Sequence, residues 1–223
     1  MCSKLKHRYL FLSVLEGGFA AATILVSFGV VIGKITPLQL LFIIIMETLV
    51  YALNWQIGYN ILLVVDAGGT MFIHTFGAYF GVFMSLALRA KNYKHPKTEE
   101  LQNSRYNSDH FSFVGSFLLW VFWPSFNAYA TEGKGRERAL TNTYLSMCAS
   151  TILTLILSPI LNKDRKFSNT DLQNATLAGG VAVGCACHLL IQPWGALIAG
   201  SIAGVISMLG YNIIQVKFQS PVG

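Results

Sequence analysis

The chain has 223 residues, of which 53% are hydrophobic and only 12% are charged. A water-soluble domain of this size could not cover so much apolar surface, so the composition excludes a soluble globular protein and indicates that lipid is its main solvent. The net charge of +6 does not indicate nucleic-acid binding, because the basic residues form short clusters between long apolar stretches, where anionic lipid headgroups are the nearer partner.

Seven apolar stretches follow one another along the chain. Most have the roughly 20 residues that a helix needs to cross about 30 Å of hydrocarbon, and backbone groups in lipid must bond internally. The predicted spans are residues 9–33, 36–60, 67–89, 111–130, 140–161, 173–191 and 194–215. The sequence therefore predicts an all-α polytopic membrane protein with about seven helices and no soluble domain between them.

The basic residues in the connections predict an orientation. Ten lysines and arginines fall on one side of the seven spans and six on the other. Because loops rich in these residues stay cytoplasmic, residues 91–110 are expected inside and the N-terminus outside. The basic flank before the first span opposes this orientation, which predicts that further helices precede it.

Few ionisable side chains are candidates to lie inside the bilayer, namely Glu16, Glu47, Asp66, His74 and His188. Asp66 stands before residues 67–70, a pattern that predicts a helix beginning at this point. Its carboxylate can cap the first-turn N–H groups, and a carboxylate at the end of a pore helix also lowers the free energy of a nearby cation. The two interpretations are compatible.

His74 follows Asp66 by eight residues, which on a helix is about 12 Å deeper and near the bilayer midplane. A neutral imidazole there can donate and accept a hydrogen bond, as a pore-lining group would. A histidine held by a neighbouring helix fits the sequence equally well.

The sequence predicts no enzyme, cofactor or metal site. Cys185, Cys187 and His188 are close together, but positions i and i+2 point to different faces of a helix. No nucleophile elbow, zinc-protease motif or phosphate-binding loop is present. Small residues four apart predict close helix packing instead, at Gly77 and Gly81, Gly180 and Gly184, and Gly200 and Gly204.

Three longer strings carry a resemblance to a known family. They are DAGGTMFIHTFGAYFG at residues 66–81, LLWVFWPSFN at 118–127 and NATLAGGVAVG at 174–184. Together they closely resemble the Rh glycoprotein branch of the ammonium transporter family, over nearly the whole chain.

The resemblance implies a bundle of eleven core helices built from inverted repeats, assembled as a trimer with one pore in each subunit. The seven predicted spans resemble core helices three to nine, so we expect that residues 1–223 form a partial transmembrane domain lacking N-terminal and C-terminal helices. The implied location is the plasma membrane, and the implied assembly is a homotrimer or a heterotrimer with Rh-type subunits.

The resemblance also implies site residues. In the family, ammonium loses a proton near the outer mouth, and ammonia crosses a hydrophobic pore lined by two histidines. His74 matches the first histidine, Phe19 and Phe126 match two stacked phenylalanine gates, and Asp66 matches the acidic residue that supports recruitment. The implied function is a facilitator of ammonia or ammonium, with carbon dioxide as a further candidate.

The chain departs from the family pattern in three ways, of which the last supports an alternative. The second pore histidine is expected after Gly223, and Trp55 occupies a vestibule position that is often acidic in transporting relatives. Residues 187–189 and 193–194 look more like the non-transporting Rh blood-group polypeptides. The alternative function is therefore a structural membrane polypeptide that assembles with Rh-type partners and conducts nothing.

Overall fold

The computed structural model describes residues 2–88, 105–162 and 164–215, and for residues 2–12 and 215 it describes the backbone alone. The expected cytoplasmic position of residues 91–110 therefore concerns a segment that lies largely outside the described residues. Regular structure in the described ranges is helical. The α-helices are α1 Cys2–Val31, α2 Pro37–Trp55, α3 Phe76–Ala87, α4 Tyr106–Ala128, α5 Gly133–Leu161, α6 Asn169–Gly184 and α7 Pro193–Leu209.

Three π-helical turns adjoin these helices. They are π1 Gln56–Ile61 after α2, π2 Thr70–Thr75 before α3 and π3 Gly210–Gln215 after α7. Such turns are rare and occur frequently at functional sites.

Within the described residues, six helical segments are long and apolar enough to cross a membrane. They correspond to six of the seven predicted spans and confirm the polytopic all-α class. The segment predicted at 173–191 differs, because α6 has 16 residues and ends at Gly184. Beyond Gly184 the backbone forms turns, in which an N–H donates to the carbonyl three residues earlier. Ala186 N–H donates to Val183 O and Leu189 N–H donates to Ala186 O, both at 3.0 Å. Apolar composition alone does not distinguish such turns from helix.

The chain folds as two compact units. Unit 1 comprises Met1–Val65 with Met71–Asn103, and unit 2 comprises Asp66–Thr70 with Ser104–Gly223.

In unit 1, α3 packs on α1 through small residues. A methyl group added at Gly77 would lie 2.8 Å from Thr23 O, and one at Gly81 would lie 2.9 Å from Ser27 Cα. The predicted close approach at this glycine pair is confirmed.

Gly81→Ala is expected to destabilise unit 1, because backbone atoms of α1 occupy the space that a methyl group would need. Overpacking of this kind costs about 1–3 kcal/mol. Gly29→Ala is the matched control, since nothing lies within 4 Å of a methyl group there, and alanine favours a helix by about 1 kcal/mol over glycine. Detergent-induced unfolding of the two variants measures the difference, and equal stability would show that α1 and α3 do not pack through Gly81.

In unit 2, α5 packs against both α6 and α7. Ser146 Oγ donates to Gly179 O of α6 at 2.6 Å, and the Ser150 hydroxyl donates to Ala175 O. Gly200 of α7 lies directly against the Ser146 backbone. Serine hydroxyls and glycines therefore hold the three helices together, as is usual where lipid provides no hydrophobic drive between helices.

A buried carboxylate joins the ends of these helices. Asp171, in the first turn of α6, is 1% exposed. Its Oδ2 accepts from Ser158 Oγ at 2.6 Å and from Asn162 Nδ2 at 2.9 Å. Its Oδ1 accepts from Asn212 Nδ2 at 3.1 Å. One side chain thus connects α5, α6 and the turn π3.

Candidate functional site

Asp66 lies in a turn that precedes π2, in unit 2. Its side chain is buried, and Oδ1 accepts a hydrogen bond from the Thr70 N–H at 2.9 Å. The helix begins at Thr70, three residues later than the predicted start at residue 67. The carboxylate nevertheless satisfies an N–H group of the first turn, as the capping interpretation predicts.

The segment from Asp66 to Thr70 is fixed to α6. Gly68 N–H donates to Gly184 O at 2.9 Å, and Thr70 Oγ1 donates to Val181 O at 2.7 Å. A side chain at Gly68 would overlap Asn127 Oδ1 and would lie 2.9 Å from Gly184 Cα. The chain therefore needs glycine at this position to approach α6, and this approach holds the Asp66 carboxylate in place.

His74 lies on the turn π2, between the buried Ile73 and the exposed Thr75. Its own side chain is partly buried. The sequence predicted its depth from a regular helix, whereas the structure places it on a π-helical turn. Such a turn changes the direction of the side chains that follow it, and a rare backbone geometry at this histidine favours a functional role.

Trp55, the predicted vestibule residue, packs within an aromatic cluster of unit 1. Its ring centroid lies 4.3 Å from that of Tyr59 and 5.7 Å from that of Phe72, while Tyr59 and Phe72 are 4.6 Å apart. Phe72 precedes His74 by two residues on π2. A methyl group at Gly58 would overlap the Phe72 ring, so glycine allows this ring to lie on π1. The cluster connects π1 to the turn that carries the histidine.

The two phenylalanines lie on different helices and in different units. Phe19 is buried on α1 of unit 1. Phe126 is partly buried on α4 of unit 2, with its ring centroid 5.9 Å from that of Trp123. Unit 1 thus carries Phe19, Trp55 and His74, whereas unit 2 carries Asp66 and Phe126.

The segment that follows α6 is held by α5. Asn142 Nδ2 donates to Cys187 O at 3.0 Å and to Ile191 O at 3.1 Å. Arg138 donates through Nε and through a terminal guanidinium nitrogen to His188 O, at 3.1 and 3.0 Å. Cys187 is buried, and its Sγ lies 3.3 Å from Gly184 O. Within the described ranges, no three histidine, cysteine or acidic side chains are grouped to hold a metal ion.

Comparisons with known proteins identify the family of the chain. Residues 11–222 match the model of the Ammonium Transporter Family. The chain is 45% identical to the rat protein "Ammonium transporter Rh type B" over 211 residues, which are 94% of this chain and 45% of that protein. It is 44% identical to the human "Ammonium transporter Rh type C" over 211 residues, 93% of this chain and 44% of the relative.

A solved structure shows the same fold. The Rh50 protein of Nitrosomonas europaea, which belongs to the Rhesus protein family of channels, matches with a TM-score of 0.81 and 36% identity, covering 91% of this chain and 53% of that one. The chain spans about half the length of these relatives. The family is one of transporters and channels rather than enzymes. We conclude that this multi-pass membrane protein belongs to the ammonium transporter family, within its Rh branch.

Proposed function

We propose that this chain forms part of a plasma-membrane channel for ammonia or ammonium, in a homotrimer or in a heterotrimer with Rh-type subunits. The observation that carries the proposal is the position of His74 on a π-helical turn, in a chain of the Rh branch, eight residues after the Asp66 carboxylate, which accepts a hydrogen bond from the Thr70 N–H. Carbon dioxide is a further candidate on the resemblance alone.

Each residue has a distinct part in the proposed passage. The negative charge of the Asp66 carboxylate attracts cations to the mouth of the pore. It therefore lowers the free energy of an approaching ammonium ion. Ammonium then releases its proton to water at the outer mouth, because neutral ammonia enters hydrocarbon at a much lower cost than a charged species. His74 supplies hydrogen bonds that replace part of the lost water. The resemblance to the family assigns gate roles to Phe19 and Phe126.

A non-conducting structural role is the second candidate, and the aromatic cluster around Trp55 favours it. Tryptophan occupies a position that is often acidic in the transporting relatives, and its ring packs against Tyr59 and Phe72 instead of offering charge to a cation. A polypeptide that only assembles with Rh-type partners has no need of a charged vestibule.

A chimera distinguishes the two candidates. Because the chain matches 211 residues of rat Rh type B, it can replace those residues in that protein. If the chain contributes to a conduction path, the chimera takes up methylammonium into vesicles well above empty vesicles. A chimera that reaches the membrane as trimers yet shows only background uptake would support the structural role.

Asp66→Asn tests recruitment separately from capping. The amide retains an oxygen that can accept from the Thr70 N–H, so the start of π2 is preserved while the negative charge is removed. We expect methylammonium uptake by the chimera to fall severalfold with unchanged surface abundance. Asp164→Asn, at an exposed position, is the control for charge alone. Unchanged uptake in the Asp66 variant would leave this carboxylate as a cap only.

A further inference from the structure

Glu47 is an acid in the middle of a membrane span. It follows Pro37, the first residue of the span Pro37–Ile61, by about 15 Å along a helix that crosses about 30 Å of hydrocarbon. Its side chain is 0% exposed. The buried residues of α2 are Ile43, Glu47 and Tyr51, which repeat at a spacing of one turn. Glu47 is therefore the central residue of the only buried stripe on this helix.

The Ser27 hydroxyl of α1 lies among three oxygen atoms. Ser27 Oγ lies within hydrogen-bond distance of Glu47 Oε1. It also lies 2.8 Å from Gly77 O of α3 and 3.4 Å from Thr23 O of its own helix. A serine hydroxyl has one proton to donate, and a backbone carbonyl has none. If that proton goes to Gly77 O, the bond between Ser27 and Glu47 requires a proton from the glutamic acid.

The opposite arrangement, in which Ser27 donates to an ionised Glu47, is unfavourable. It places two acceptor oxygens, Ser27 Oγ and Gly77 O, 2.8 Å apart with no proton between them. It also leaves a negative charge in the span, with Glu47 Oε2 buried and unbonded. Within the described part of the chain, no cation pairs with Glu47. An unpaired charge at this depth is costly, so a carboxyl group there keeps its proton.

The hydrogen-bonded group that faces Glu47 from a neighbouring helix is the uncharged hydroxyl of Ser27 on α1. The other hydrogen-bond partners of that hydroxyl, the Thr23 carbonyl on α1 and the Gly77 carbonyl on α3, are also uncharged. Lys34, at the end of α1, donates elsewhere, to Val30 O and Ser85 Oγ.

We propose that Glu47 is a proton-binding site within the membrane, a neutral acid that donates to Ser27 Oγ while Ser27 donates to Gly77 O. The proton on Glu47 connects α2 to Ser27 of α1. Ser27 in turn connects to Gly77 of α3, which lies three positions after His74. The proposal does not depend on conduction, because it concerns only the protonation and bonding of this side chain.

Infrared spectroscopy of residues 1–223 in lipid nanodiscs, with ¹³C-labelled glutamate, tests the proposal without any variant. The label separates glutamate from the aspartates, and glutamates with an ordinary pKa of about 4.3 are ionised at pH 7. We expect a protonated-carboxyl C=O band at pH 7. A spectrum that shows only ionised glutamate would overturn the proposal.

Three variants assign the band. Glu47→Gln, which keeps the shape and a neutral donor, is expected to remove it, whereas Glu16→Gln, at an exposed residue of α1, is expected to leave it. Ser27→Ala is expected to shift its frequency, because the acid loses its acceptor. A band that survives Glu47→Gln, or that Ser27→Ala leaves unchanged, would contradict the assignment. Circular dichroism confirms that each variant keeps its helices.

Discussion

Replacing Asp171 with alanine is expected to destabilise unit 2 strongly. The carboxylate accepts hydrogen bonds from Ser158, Asn162 and Asn212, so its removal takes an acceptor from each of them. Asn162 keeps its bonds to Ser158 Oγ and Lys166 O, and Asn212 keeps its bond to Met208 O. Each unsatisfied buried donor costs about 1–3 kcal/mol. Because Ser158 is fully buried and the two asparagines are partly buried, we expect a loss of about 3 kcal/mol in total.

Asp164→Ala is the matched control, since Asp164 is exposed near the same end of α5. A surface substitution of this kind usually changes stability by no more than about 0.5 kcal/mol. Detergent-induced unfolding, followed by tryptophan fluorescence, compares the two variants. Equal midpoints would show that the Asp171 cluster does not hold α5, α6 and π3 together.

The long helices were predictable because membrane insertion requires long apolar stretches. Residues 37–61 and 193–214 correspond closely to their predicted spans. The glycine spacing also predicted which faces approach closely, as at Gly77 and Gly81. These features depend on composition and spacing along one helix, which a sequence displays directly.

Features that depend on neighbouring helices were not predictable. The turn π2 and the delayed helix start at Thr70 follow from hydrogen bonds of Gly68 and Thr70 to α6, more than 100 positions away in sequence. After α6 ends at Gly184, the carbonyl groups of residues 187, 188 and 191 accept hydrogen bonds from the side chains of Arg138 and Asn142 on α5. These partners on another helix stabilise the non-helical segment.

Of the candidate site residues, Asp66 was predictable as a cap, because that role depends on the four residues after it. The packing of Trp55 against Phe72 was not, since it requires the glycine at position 58 to face π2. Glu47 was recognised as an intramembrane acid, but its partner Ser27 lies 20 positions away on another helix. The pore roles of His74, Phe19 and Phe126 remain predictions from the resemblance.

The function proposed for this chain requires that the segment carrying His74 contributes to a conduction path. A neutral imidazole replaces hydrogen bonds that ammonia loses on leaving water, and an unpaired buried polar group costs about 1–3 kcal/mol. In the chimera with rat Rh type B, His74→Ala should therefore reduce ammonia flux by about 5- to 150-fold. A packing role would have a different effect, because interhelical hydrogen bonds in membranes average only about 0.6 kcal/mol and their loss would lower surface abundance without changing flux per molecule.

The decisive measurement is ammonia flux per trimer together with surface abundance, for the chimera, its His74→Ala variant and a His110→Ala control. His110 is exposed in the first turns of α4, with Nδ1 2.8 Å from Tyr106 O, so its loss should change neither quantity. We expect His74→Ala to lower flux per trimer while abundance stays near that of the parent chimera. Unchanged flux per trimer in the His74 variant would contradict the pore-lining role and would leave His74 as a packed helix residue.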